Sequence, residues 1–282
     1  MHEHRPLSPI EDLEPTIRES GHFWIQEYVL GGLLRFEMAG SGMLRFGDNE
    51  NVFEPQAIPP HYRPAVAAVR EQLDRDRLRG GVDDVGAFTF LGVAPLGRGM
   101  EYDWDTIPAF LGHDIWDGTA DSFATDDVVE RVFETIGLSS VPTLEKEVPA
   151  THLDLARDAF PASRWAPSDV PALVVRKKSG AIARVDNPNW DRTAPNDAGI
   201  DGVARLESWL EERLTPESLP HLVPGELDSV WDRSIEELAA DAAGELARRE
   251  FGTVGRQVRT HPAQFETAVR SRITAIHRDR FE

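Results

Sequence analysis

Residues 24–36 read WIQEYVLGGLLRF. One apolar, aromatic run enters a Gly-Gly pair and a second apolar run leaves it, which is the pattern of two short strands about a turn. Strands are expected over 23–29, 33–38 and 42–46, broken at Gly31-Gly32 and Gly40-Ser41-Gly42. Downstream, 61–79 (HYRPAVAAVREQLDRDRLR) predicts one helix with Val66, Val69 and Leu73 on a shared face. Strand-like segments follow at 88–93 and 109–116. Thr125 is placed to cap a helix whose apolar face is Val129, Val132, Phe133 and Ile136, with Gly137 as its stop. Residues 172–186, ALVVRKKSGAIARVD, predict a hairpin turning at Lys178-Ser179-Gly180.

Beyond NPNW (187–190) the periodicity changes to helical over 203–214, 228–250 and 262–279. Phe265, Val269, Ile273 and Ile276 share a face of the last segment. The expected organisation is an α+β domain over 1–190 and a helical C-terminal module over 191–282. Charge divides the module. Residues 226–245 are mostly acidic, whereas 248–280 hold eight Arg against three acids, a candidate phosphate-facing surface or a set of internally paired arginines.

The formal net charge is −19, and of 30 basic residues only Lys146, Lys177 and Lys178 are lysine. That balance is the one expected of a protein working in concentrated salt, where a Debye length of about 3 Å makes self-repulsion tolerable. A halophilic cytoplasm is the expected setting. The absence of cysteine excludes disulfides, thiolate metal sites and thiol nucleophiles. The apolar runs are too short for a membrane span, and MHEHRPLSPIEDLEP lacks the apolar stretch of a secretory signal.

Four segments, taken in order, carry a resemblance: WIQEYVLGGLLRF, then FTFLGVA (88–94), then YDWDTIPAFLGHDIWD (102–117) with GLSSVPTL (137–144), then ALVVRKKSGAIARV (172–185). Their order and spacing resemble the nucleotidyltransferase domain of ATP-dependent RNA ligases, relatives of DNA ligases and mRNA-capping enzymes. The resemblance covers roughly residues 20–190. It implies an antiparallel-sheet nucleotidyltransferase (ATP-grasp-like ligase) domain, with ATP and Mg²⁺ as cofactors and RNA or DNA ends as partners. In the family a strand-end lysine, in a Lys-x-Asp-Gly motif, attacks the α-phosphate of ATP and becomes a lysyl-AMP, which requires a lowered amine pKa.

At the lysine's position this chain has Tyr28, and at the aspartate's Leu30, while Gly31 and Arg35 match. Val93 stands for the ribose-binding glutamate, Pro171-Ala172 for the metal-binding Glu-Gly, and Arg184 for the last-strand lysine. Phe110, His113 and Asp114 keep the third motif. Positions that pack match the family, and positions that do chemistry do not. A phenol, with a reference pKa of about 10, is a poor nucleophile without an adjacent base. The resemblance therefore implies a degenerate ligase in which Tyr28 marks the former nucleophile, Gly31, Arg35, His113 and Arg184 line a nucleotide site, and Arg176, Lys177 and Lys178 offer charge to nucleic acid. An active ligase is a further expected partner. Two other readings stay open: an active ligase with an altered nucleophile, and an interaction protein docking through its Arg-rich C-terminal helix.

Other groupings admit plain readings. Glu101, Asp103 and Asp105 would share one face of a strand and bind a divalent cation, or form an acidic edge. His2-Glu3-His4 is expected to be a frayed terminus. On a strand, His113 and Asp114 would point to opposite faces. Trp104, Trp116, Trp165 and Trp190 are candidates to stack on single-stranded nucleic acid or to pack in the core.

Overall fold

The computed structural model describes residues 1–153, 159–190, 199–200, 202–225 and 227–281. The chain divides into two compact units. One comprises Met1–Pro55, Val66–Pro95 and Met100–Asp191; the other comprises Gln56–Ala65, Leu96–Gly99 and Arg192–Glu282.

A short helix α1 (Pro15–Arg18) precedes strands β1 (His22–Glu27), β2 (Gly31–Met38) and β3 (Leu44–Gly47). The helix expected over 61–79 is two: α2 (Arg63–Gln72) and α3 (Arg75–Gly81). Asp74 makes the break. Its amide donates to the Ile136 carbonyl at 2.9 Å, and its carboxylate caps α3 by accepting from Arg77 N at 2.9 Å. Then come β4 (Phe88–Pro95), β5 (Leu111–Asp117), β6 (Ser122–Phe123), α4 (Asp126–Thr135), β7 (Thr143–Pro149), β8 (Ala172–Arg176) and β9 (Ile182–Asp186). Helix α4 stops where expected, at Gly137, with a φ of 82° that disfavours side chains.

All named pairings are antiparallel, in two sheets ordered β7-β1-β8-β9 and β3-β2-β4-β5-β6. Alternation sorts the first sheet. Phe23, Ile25, Leu173, Val175, Ala183 and Val185 pack on Ile10, Phe160 and Val170. Trp24, Gln26, Val174, Arg176 and Arg184 take the opposite side, Gln26 pairing with Val174 and Val174 with Arg184. The second sheet buries Leu34, Phe36, Met38 and Phe90. Phe36 stacks on Phe90 at 4.9 Å between centroids, and Phe110 and Phe133 close the cluster. Gly92 and Gly112 lie opposite each other there. A Cβ on Gly92 would sit 2.4 Å from Phe110, and one on Gly112 would sit 2.2 Å from Phe133. Both glycines are therefore spaces for phenyl rings.

In the other unit, α5 (Val203–Arg213), α6 (Leu219–Leu222), α7 (Ile235–Arg249), α8 (Phe251–Thr260) and α9 (Pro262–Phe281) surround one apolar core. The face expected for the last helix, Phe265, Val269, Ile273 and Ile276, is buried. The run expected over 228–250 is shorter as a helix. It starts at the Ser234 cap, whose side chain and that of Glu237 form a reciprocal capping box.

Candidate functional site

The polar side of the first sheet meets the second sheet at one buried residue. Arg176, 2% exposed, extends from β8 and donates to Asp126 Oδ1 of α4 at 2.5 Å and to Asp114 Oδ1 of β5. Arg5 also pairs with Asp114 and donates to the Gly180 carbonyl at 3.0 Å. Burial alone would raise the Asp114 pKa, but Arg176, His113 and Arg5 together hold it well below the usual carboxylate range. The same carboxylates raise the Arg176 pKa against the effect of burial.

A β-bulge shapes this spot. Leu91 pairs with Asp114 and Gly92 with Gly112, so His113 has no partner on β4. Its side chain consequently falls beside that of Asp114, with Nδ1 3.3 Å from Oδ2. The expectation that these neighbours point apart is corrected by the bulge.

Residues 1–9 run across the same region. The expectation of a frayed terminus is overturned. Arg35, on β2, donates to the carbonyls of Met1 (3.1 Å) and His2 (2.8 Å). The His2 ring stacks on Trp116 at 3.6 Å, and its amide donates to Thr89 Oγ1 at 3.1 Å. His4 is 7% exposed, its ring 5.2 Å from that of His113, and its ring nitrogens have no hydrogen-bond partner among the described residues. Burial, with His113 close by, lowers its pKa to about 3. Farther on, Arg184 N donates to the Ser8 carbonyl at 2.8 Å and Pro9 bridges to Arg184.

Tyr28 follows β1, its amide donating to the Ala172 carbonyl at 3.2 Å. The Arg184 guanidinium lies 5.8 Å from the centre of its ring, and Arg184 Nε pairs with Asp186 Oδ1 at 2.7 Å. Among the described residues nothing hydrogen-bonds the Tyr28 hydroxyl. Behind Tyr28, Glu27 is buried. Burial raises its pKa, partly offset by Ser163 Oγ at 2.5 Å and Arg164 N at 3.2 Å.

No family model and no curated protein matches the chain. Solved structures do. A variant of Naegleria gruberi RNA ligase with ATP and Mn aligns with a TM-score of 0.52 at 13% identity, covering 67% of this chain and 56% of that one. The same ligase with PPi gives 0.51 at 13% identity, with coverage of 66% and 56%. The fold is RNA ligase-like. The chain spans little more than half the length of those ligases, and at this identity the likeness is one of fold.

Within the RNA ligase-like fold, Arg35, His113 and Arg184 come together with the chain's first nine residues, Arg184 also flanking Tyr28. Gly31 lies elsewhere along β2. A Cβ there would meet the Ala94 carbonyl at 2.3 Å, so this glycine serves strand packing. The hairpin charges separate. Arg176 is buried and paired twice, which corrects the expectation that it offers charge to nucleic acid. Lys177 Nζ donates to the carbonyls of Ile17 (2.5 Å) and Ser20 (2.6 Å), while exposed Lys178 pairs with Glu147 at 2.8 Å. These two lysines border an open depression of about 550 Å³ with Thr16, Ser20, His22 and Glu147.

Glu101, Asp103 and Asp105 lie in an irregular segment and turn, with Asp105 N bonded to Asp103 Oδ1 at 3.2 Å, so they share no strand face. Among the described residues no group of three His, Asp or Glu is placed to hold a metal ion. Trp165 is buried, Trp104 and Trp190 pack against the Tyr102 cluster, and His2 covers Trp116. In the Arg-rich segment, Arg249 pairs with Glu245 at 2.9 Å, Arg272 donates to the Leu214 carbonyl at 2.9 Å, and Arg280 lies over Trp231 at 4.3 Å. The bulge and the ordered first nine residues had no sequence signal. The Asp74 cap and the Ser234-x-x-Glu237 box did.

Proposed function

We propose that this chain is a degenerate RNA ligase-like protein that binds a nucleotide, or the phosphate end of RNA or DNA, without forming a lysyl-adenylate. Tyr28 carries the reading. It stands just after β1 with a cation beside its ring and, among the described residues, no hydrogen-bonded base to take its proton. The three lysines are engaged elsewhere: Lys146 with Glu130 at 2.5 Å and over the Trp24 ring, Lys177 on the carbonyls before β1, Lys178 on Glu147. The carboxylates nearest His113 do not fit a catalytic Mg²⁺, because Arg5 and Arg176 already neutralise Asp114, and Arg176 pairs with Asp126. No metal step is part of the reading. Arg184 and Arg35 supply the cations for phosphate, and RNA or DNA ends or an active ligase are the partners that suit it.

The test is incubation with α-labelled ATP and Mg²⁺ in molar KCl, followed by a denaturing gel, beside equilibrium binding of a fluorescent ATP analogue. The expected result is reversible binding and no covalent band. A labelled band that survives denaturation would overturn the reading, and mapping it would identify the nucleophile.

A further inference from the structure

Residues 1–9 lie against Arg35, His113 and Arg184, three residues on which the proposed nucleotide site depends. Arg35 spends its Nη1 on two carbonyls of this segment. The His4 ring sits against His113, the His2 ring covers Trp116, and Ser8 takes the backbone amide of Arg184. Arg5 adds a second guanidinium to Asp114. The segment thus crosses from the second sheet to β9 of the first, touching the side chains of Arg35 and His113 and the backbone of Arg184, three of the four residues that the site would present. We propose that residues 1–9 are an intrasteric strap that competes with nucleotide for this site and must lift for nucleotide to bind. This rests on the nucleotide-binding reading above.

The construction of the strap favours release. Through residue 8 it joins no sheet ladder, and Pro9 makes only an isolated bridge. Glu3, Pro6 and Ser8 face solvent. His4 is buried with both ring nitrogens unsatisfied, and the desolvation this costs is recovered when the ring returns to water. Arg35 Nε is likewise buried without a hydrogen bond, so the guanidinium that holds the strap has donor capacity the strap leaves unused. Against these stand the Met1 ammonium on Glu37 at 3.0 Å, the backbone bonds of His2, His4 and Ser8, the His2 stack and the Arg5–Asp114 pair, of which the last two are side-chain contacts that substitution removes singly.

A strap that is open a tenth of the time weakens apparent affinity about tenfold, and loosening it recovers that factor. The experiment uses ATP as probe in molar KCl. The affinity of the full chain is compared with that of a His2→Ala/Arg5→Ala variant, and backbone hydrogen exchange over residues 2–9 of the unmutated chain is followed with and without saturating ATP. The expected results are about tenfold tighter binding by the variant and faster exchange of the strap amides when ATP is present. Equal affinities, with strap exchange unchanged by bound ATP, would overturn the strap while leaving nucleotide binding intact. Absence of ATP binding by both proteins would overturn the strap and the nucleotide reading together. The exchange experiment needs no substitution, so it decides the matter even if the variant folds poorly.

Discussion

Replacing Arg176 with Met should cost this protein about 3–5 kcal/mol, the range for removing one partner of a buried ion pair. The guanidinium is 2% exposed and serves two carboxylates, Asp126 at 2.5 Å and Asp114. Methionine fills much of the same volume, so the loss is electrostatic and not a cavity. The two acids fare differently. Asp114 keeps Arg5 and His113, whereas Asp126 loses its ion-pair partner and keeps only the weaker influence of the Arg5 charge. Burial already pushes the Asp126 pKa up, so without Arg176 it escapes its cost by taking a proton. The penalty should therefore shrink as pH falls from 7.5 toward 5. Arg5→Ala, which leaves Arg176 on Asp114, should cost less, about 1–2 kcal/mol. Urea unfolding at constant molar KCl, followed by tryptophan fluorescence, measures both; urea keeps ionic strength fixed. A shift below about 1 kcal/mol for Arg176→Met, at an unchanged m-value, would refute the network as the junction of the two sheets.

Two more expectations concern packing and protonation. Gly112→Ala puts a methyl 2.2 Å from the Phe133 ring and should destabilise by about 1–3 kcal/mol, whereas Gly80→Ala in α3, with no atom within 4 Å, should stabilise by up to about 1 kcal/mol; equal effects in urea melts would contradict the packing described. Burial lowers the pKa of His4 and of His61 to about 3, so folding favours their neutral forms and stability should fall as pH drops from about 6.5 toward 3, by at most roughly 5 kcal/mol per histidine. Glu27, raised by burial, acts in the opposite sense, losing its contribution as pH rises above 4.5 through its folded value. NMR titration of the histidine ring protons checks this, and either residue titrating near 6.5 in the folded protein would defeat it.

Local pattern was enough for much of the fold. The apolar, aromatic and β-branched runs in 22–27, 31–38, 88–95 and 172–176 mark strands, and these strands are buried on both faces over most of their length. The FLGHDIWD and FTFLGVA segments were legible as strands, yet only the folded chain shows that Gly112 of the first and Gly92 of the second make room for phenyl rings. Composition told of the missing lysines but not that Arg176, drawn from the same Arg-Lys-Lys run as two surface lysines, would be buried. Whether a charged residue faces water depends on where its carboxylates lie, and those of Arg176 are 50 and 62 residues away in sequence.

The strands, the hairpin, the buried face of the last helix and the tyrosine just after β1 were readable from residues a few positions apart, because each depends on local pattern. Tertiary structure alone decided three things: that a bulge turns His113 beside Asp114, that Arg176 joins the two sheets, and that residues 1–9 lie over Arg35, His113 and Arg184. Each is a pairing between distant segments, chosen by register, buried charge and shape once the sheets have formed, and no local periodicity encodes such a choice.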